Sequence, residues 1–459
     1  MENFRIECDS IGEKQVPIDA YYGVQTLRAH ENFRISDTKT HKELIRAIVE
    51  IKKAAAITNG QAGVIKIDIA NAMAQACDEI LSGKFLDNFI TDAIQGGAGT
   101  SLNMNANEVV SNRAIEILGG KKGDYSIVHP NDHANCGQST NDAYPSAGKI
   151  AVIRLLNKAI DALKDFYDAL KSKAVQFGGV IKMGRTEMQD AVPISFGQSF
   201  NAYASAVNRD ILRFTKAIDT LSTLNMGGTA IGTTINADKD YVKNIVPNLC
   251  KVTGLNLRQA EDLVDATQNL DCFVYVSGIV KACATTLSKI ANDLRLMSSG
   301  PRTGFAEINL PAKQNGSSIM PGKINPVIPE VINQIAFNVI GNDTTITMAV
   351  EAGQLELNAF EPVMFYCLFE SLDTLTNGIK VFTKDCVNGI TVNEDICVSE
   401  VEKSIGIVTA LCPYVGYTKA SELAKRALKE KKSIREILVE ENLKFDEDLS
   451  RILDPQKMI

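Results

Sequence analysis

At 459 residues, 45% of them hydrophobic and 22% charged, the chain is long enough for about three domains and a large core. Its net charge of −7 argues against nucleic acid or an anionic membrane as partner, so an anionic ligand has to be held by local groups. The ten cysteines lie scattered, with no C-x-x-C pair and no cluster with histidine, which excludes a zinc finger or disulfide framework and reads as reduced thiols.

The first ten residues, MENFRIECDS, mix charges and lack the apolar stretch of a signal peptide; with no later run of membrane-span length, a cytoplasmic protein is expected. Extended pieces are predicted around Phe4–Ile6 and Val16–Ile18. Helical spacing starts near His41, with Leu44, Ile45, Ile48, Val49 and Ile51, and returns from Ile69 to Leu81. The turn Gly96-Gly97-Ala98-Gly99 then precedes Thr100 and Ser101, and a helix is predicted over about 102–118. Thr100 therefore sits near a helix N-terminus, where unpaired N–H groups favour an anion.

Pro130 to Ser139 is polar and irregular, and it ends in Ser139-Thr140-Asn141, a good N-cap for a long helix over about 142–177. Further long helices are predicted over about 196–224, 271–298, 328–352 and 363–388, the third of them apolar on most faces. Such a string points to a mainly α protein built on a helical bundle. The expected domains are 1–138 (mostly helical), 139–392 (the central bundle) and 393–459 (small, helical and charge-rich). The basic patch Lys425–Lys432 is interleaved with Glu and has no aromatics, as a solvated helix face would.

Four polar segments carry the chemistry: Thr100-Ser101, Ser139-Thr140-Asn141, Gly184-Arg185-Thr186-Glu187, and the loop Gly316–Pro326, reading GSSIMPGKINP. Each of the first three places small hydroxyl or amide residues where a helix or glycine turn begins, and each alone reads first as a helix cap. The loop differs. Two glycines and two prolines punctuate it, so it can move, and it brings Ser317, Ser318, Lys323 and Asn325 together as equipment for stabilising negative charge in a site closed to water. His30, His41, His129 and His133 are the only histidines, and none sits in a nucleophile-elbow context, so serine-hydrolase chemistry is a weaker alternative. His129 and His133 read as loop supports and no metal site is expected.

That loop fills every fixed position of G-S-S-x-M-P-x-K-x-N and so resembles the signature of the fumarase/aspartase superfamily. GGAGTSLNMNANEV (96–109), PNDHANCGQSTNDAYP (130–145) and MGRTEMQDAVP (183–193) resemble its other site segments. The opening RIECDSIGEKQVPIDAYYGVQTLRAHENF, with PAKQNGSSIMPGKINPVIPE and GQLELNAFEP, is similar to the aspartase branch, while fumarases diverge at the last. The resemblance implies a three-domain fold whose five-helix bundles join into a twenty-helix homotetramer core, with each site completed by three subunits. It implies reversible anti-elimination of ammonia from L-aspartate to fumarate without an organic cofactor. Fumarate hydratase is the alternative enzyme, and a non-catalytic scaffold that kept the fold is a third reading.

Residue by residue, the resemblance makes Ser317 the general base. Thr100, Ser139, Thr140 and Ser318 become donors around the β-carboxylate, with Ser101 beside them. Thr186, Lys323 and Asn325 become ligands of the α-carboxylate, and Asn141, with Thr100, lies near the amine. Physical chemistry fits these residue types: removing a proton beside a carboxylate loads a second negative charge onto it, and donors that meet that charge lower the barrier. One position departs, since fumarases and some aspartases carry His and others Gln where this chain has Glu187. A carboxylate there is suited to the substrate ammonium.

Overall fold

The computed structural model describes residues 4–443, 445 and 448–459. Strands β1 (Phe4–Asp9) and β2 (Gly12–Pro17) form an antiparallel hairpin, followed by helices α1 (Val24–Asn32), α2 (Lys42–Gln61), α3 (Ile67–Leu81) and α4 (Thr100–Ile117). The five long helices after α3 and α4 are α5 (Thr140–Gln176), α6 (Phe196–Leu221), α9 (Asp271–Met297), α10 (Val327–Glu351) and α11 (Glu361–Asp385). Between them lie the hairpin β3 (Ile181–Thr186) and β4 (Gln189–Ser195), and helices α7 (Lys239–Thr253) and α8 (Leu263–Gln268). Helices α12 (Glu394–Lys403), α13 (Cys412–Glu430) and α14 (Ile434–Glu441) follow. The long helices start and stop within a few residues of the limits set by apolar spacing; α1, α7 and α8 were not foreseen.

The chain divides into two compact units. Residues 1–160, 212–282 and 338–374 form the first. Alanine and β-branched residues bury one face of α2 (Ala47, Ile48, Ile51, Ala54, Ala55), small enough to let α3 and α7 approach closely. Tyr144 of α5, Phe273 of α9, and Phe365 and Phe369 of α11 form an aromatic cluster, with the last two stacked at 5.5 Å. A hydrogen bond also links α9 to α10, where Ser277 donates to Asp343 at 2.7 Å. Glu108 of α4 takes the place of an N-cap for α1, accepting from the N–H groups of Gly23, Gln25 and Thr26.

Residues 161–211, 283–337 and 375–459 form the second unit. Phe166 of α5 stacks on Phe382 of α11 at 5.1 Å, and Asn333 of α10 donates to Ser288 of α9. Val401, Leu411, Leu423, Ile437 and Leu453 make a separate apolar core around α12–α14, joined by Met183 of β3. On its surface Arg426 pairs with Glu430, Glu440 and Glu441, the solvated charge pattern expected there.

Two expectations need correction. Pro130–Ala134, read as irregular, winds into a single wide helical turn held by His129, whose Nδ1 accepts from the N–H groups of Asn131 and Asp132. In addition, α9 is long and apolar enough by length and composition to cross a membrane, although 56% of its most apolar stretch is buried in protein. A helix that packs on several sides needs that same composition.

Candidate active site

In the first unit, two helix starts are brought together. The glycine turn adopts left-handed backbone at Gly97 (φ +80°) and Gly99 (φ +95°), which places α4 directly after it. In the first turn of α4 the N–H of Leu102 is taken by Gln95 Oε1 at 3.2 Å and that of Asn103 by the Gly99 carbonyl at 3.1 Å. The N–H groups of Thr100 and Ser101 are left without a hydrogen-bond partner among the described residues, as an anion-binding helix start requires. Thr100 is exposed and Ser101 is buried.

Helix α5 starts beside it, because Gly99 lies against the ring of Tyr144 with no room for a side chain. Ser139 acts as the cap: its Oγ accepts from the N–H of Asn141 at 3.3 Å, and its own N–H donates to Asp142 at 2.9 Å. The other carboxylate oxygen of Asp142 accepts from the N–H groups of Gly227 and Thr229, both at 3.1 Å. Burial pushes the Asp142 carboxyl up to about 6, against the pull of those three N–H groups. Thr140 is buried, and Asn141 spends one amide N–H on the Ala230 carbonyl at 2.7 Å.

Sequence reading missed Lys52. This α2 lysine is fully buried and donates to Asn103 Oδ1 (2.7 Å), Asn135 Oδ1 (3.1 Å) and Gln138 Oε1 (2.9 Å). The available signal was its position on the helix face carrying Ile48, Ile51 and Ala55, all buried. His133, by contrast, has the supporting role expected of it, accepting from the His129 N–H at 2.8 Å.

In the second unit, the signature loop closes on itself. The Gly316 N–H donates to the Lys323 carbonyl at 2.7 Å and Asn325 Nδ2 donates to the Gly316 carbonyl at 2.8 Å. Ser317 Oγ accepts from the N–H groups of Ile319 (3.2 Å) and Met320 (2.9 Å), donors that favour its deprotonated form. Ser317 is half-buried, while Ser318 and Lys323 are exposed. The lysine was expected with the two serines in a site closed to water; in the chain by itself it projects into solvent. Asn325, which the resemblance makes a ligand of the α-carboxylate, spends an amide N–H on the base of the loop.

Thr186 and Glu187 were expected at a helix start or glycine turn but lie at the tip of the β3–β4 hairpin. Glu187 (φ +53°) and Met188 (φ +65°) form its two-residue turn in left-handed backbone, unusual without Asn or Gly. Arg185 anchors that tip, donating to Glu307 at 2.6 Å and Glu400 at 2.9 Å with its guanidinium over the Phe305 ring. The cavity beside the hairpin holds about 780 Å³ and takes in Thr186, Glu187, Tyr203, Lys289, Asp293 and Phe305. None of the signature-loop residues lines it. Glu187 is exposed and makes no ion pair among the described residues, and these contain no group of three or more His, Cys, Asp or Glu side chains placed to hold a metal.

A helix start whose first N–H groups are free among the described residues, hydroxyls beside it and a serine-bearing loop suit carboxylate chemistry, and the chain as a whole matches known proteins. The pattern defining the lyase family matches residues 12–341, and that of the fumarase C C-terminus matches residues 407–459. The chain belongs to the lyase family. It is 53% identical to an aspartate ammonia-lyase of Bacillus sp over 99% of its own length and 97% of that protein's. Among solved structures it resembles a fumarate lyase:delta crystallin from Brucella melitensis bound to cobalt (TM-score 0.96, 47% identity, 99% of both chains covered). A class II fumarase from Schistosoma mansoni has the same fold (TM-score 0.96, 99% of both chains) at 35% identity.

Proposed function

We propose that the protein converts L-aspartate reversibly to fumarate and ammonia. Ser317 Oγ takes a proton from the carbon next to the β-carboxylate, and the electron pair of that C–H bond moves into the carboxylate as an aci-dianion. Thr100, Ser101, Ser139, Thr140 and Ser318 donate to this second charge, each such donor being worth about 3 kcal/mol. The pair then returns to form the carbon–carbon double bond as the C–N bond breaks on the opposite face and the amine leaves. Thr186, Lys323 and Asn325 hold the α-carboxylate, while Asn141 and Glu187 face the amine. No step calls for an organic cofactor.

The observation that carries the reading is the pair of loop N–H groups directed at Ser317 Oγ, since a serine at its ordinary pKa is a poor base. Aspartate is favoured over malate by identity to aspartate ammonia-lyases near half of all positions, against 35% to a class II fumarase. The Glu187 carboxylate, without an ion pair among the described residues, adds to this, having charge to offer an ammonium and none that suits a neutral hydroxyl.

The active form in this reading is a homotetramer with each site shared by three subunits. Helix α10 supports it, leaving Val331, Phe337, Ile340 and Met348 exposed, with Phe337 65% and Met348 66% accessible. The ten cysteines, none joined in a disulfide among the described residues, point to the reducing cytoplasm. Purified protein given aspartate and malate separately, with fumarate followed, should turn over aspartate, and Ser317→Ala should lose roughly 10²- to 10⁴-fold in rate. Turnover of malate alone would overturn the proposal.

A further inference from the structure

Lys52 plays no part in the mechanism above, yet its surroundings are unusual. Its ammonium is fully buried, and no carboxylate among the described residues lies within ion-pair distance of it. All three of its N–H donors go to neutral amide oxygens. Asn103 sits in the first turn of α4, three residues after Thr100; Asn135 and Gln138 sit in the segment that ends at Ser139. Asn103 and Asn107 of α4 also donate to Asn135 Oδ1, at 3.1 and 3.2 Å. One buried cation therefore ties together the two helix starts that present Thr100, Ser101, Ser139 and Thr140.

We propose that Lys52 is a positioning residue for the substrate carboxylate: its ammonium fixes the spacing of the two helix starts and supplies the buried positive charge behind them, and carboxylate binding draws a proton onto it. This rests on the lyase reading given above and deepens it.

The electrostatics support the coupling. Burial lowers the Lys52 ammonium to about 7, opposed by Asp142 on α5 and Cys77 on α3. Asp142 in turn faces the buried Tyr241 phenol of α7, which burial and the charges of Asp142 and Cys136 keep protonated. With burial as the dominant influence, an arriving carboxylate adds an attraction that raises the lysine's proton affinity. In free protein above about pH 7 part of the population has lost this proton. The neutral amine keeps only two N–H donors for three acceptors, and the cage loosens. Binding restores the ammonium by taking a proton from solvent.

Succinate tests this cleanly, because it is a non-reactive dicarboxylate without an amine of its own. Calorimetry of succinate binding at about pH 8, in two buffers of different ionisation enthalpy, should show net proton uptake by the wild-type protein. Lys52→Met, of similar length without charge, should abolish the uptake and raise the KM for aspartate by roughly 10- to 100-fold with a smaller change in kcat. The wild-type KM should rise with pH above about 7, and that of the variant should stay flat. Binding without proton uptake in the wild type overturns the proposal whether or not the variant folds, as does equal uptake in a folded Lys52→Met. A wild-type protein that turns over aspartate while showing no uptake sinks this inference alone; one that neither turns over aspartate nor binds succinate sinks the lyase reading and this inference with it.

Discussion

A Cβ placed on Gly99 would lie 2.3 Å from the ring of Tyr144, so the residue before α4 rests directly on the second turn of α5. The contact fixes where Thr100 stands relative to Ser139, and no other residue type fits, because Gly99 is also held at φ +95°.

Gly99→Ala should therefore cost stability and function together. Strain at positive φ and the collision with Tyr144 should lower unfolding free energy by about 1–3 kcal/mol, read by urea denaturation. If Tyr144 gives way and α4 shifts, the KM for aspartate should rise. An unchanged midpoint and KM would show that the two helix starts are not held in register by this contact.

Glu187→Gln keeps the shape of the hairpin tip and removes its charge. If the carboxylate selects the substrate ammonium, the KM for aspartate should rise about tenfold, with little loss of stability because the side chain is exposed and unpaired among the described residues. Unchanged aspartate kinetics would remove Glu187 from the site.

Arg185→Met should unseat the hairpin tip. Glu307 is fully buried, and its Oε1 pairs with Arg185; Lys182 approaches Oε2 at 3.2 Å without hydrogen-bond alignment. Removing the guanidinium strands most of a buried charge, a loss of about 3–5 kcal/mol, measurable as a fall in thermal midpoint. A variant as stable as wild type would mean that Lys182 alone satisfies Glu307.

Glu108 offers a pH test of the first unit. Burial pushes its carboxyl up to about 7, above the 4.5 of an unburied glutamate, even though Thr26, Gln25 and Gly23 donate to it. A group that holds its proton more tightly when folded adds stability that is complete below the unfolded pKa and lost as pH rises through the folded one. Glu108→Gln cannot titrate, so the wild-type advantage in unfolding free energy should widen as pH falls from about 7 toward 4.5. A gap that does not change across this window would place the Glu108 pKa elsewhere.

Much of this was legible in the residues themselves. Apolar spacing located α2, α3 and the five long helices, since a buried helix face repeats every three or four positions whatever it packs against. The glycine turn marked Thr100 as a helix start, and Ser317, Lys323 and Asn325 stood out in their loop. The hairpin at Thr186 was not legible because its tip lacks the glycine or asparagine that signals such turns.

What the sequence determined by itself is which residue types are available and which helix each belongs to, because periodicity and capping are local. Only the tertiary structure decided that Lys52 joins Asn103 to Gln138, that Glu108 caps α1, that Asn325 braces its own loop and that Lys323 stays exposed. The reason is physical: a buried polar atom must find its partner wherever the fold brings one, and segments far apart in the chain leave no local trace of that meeting.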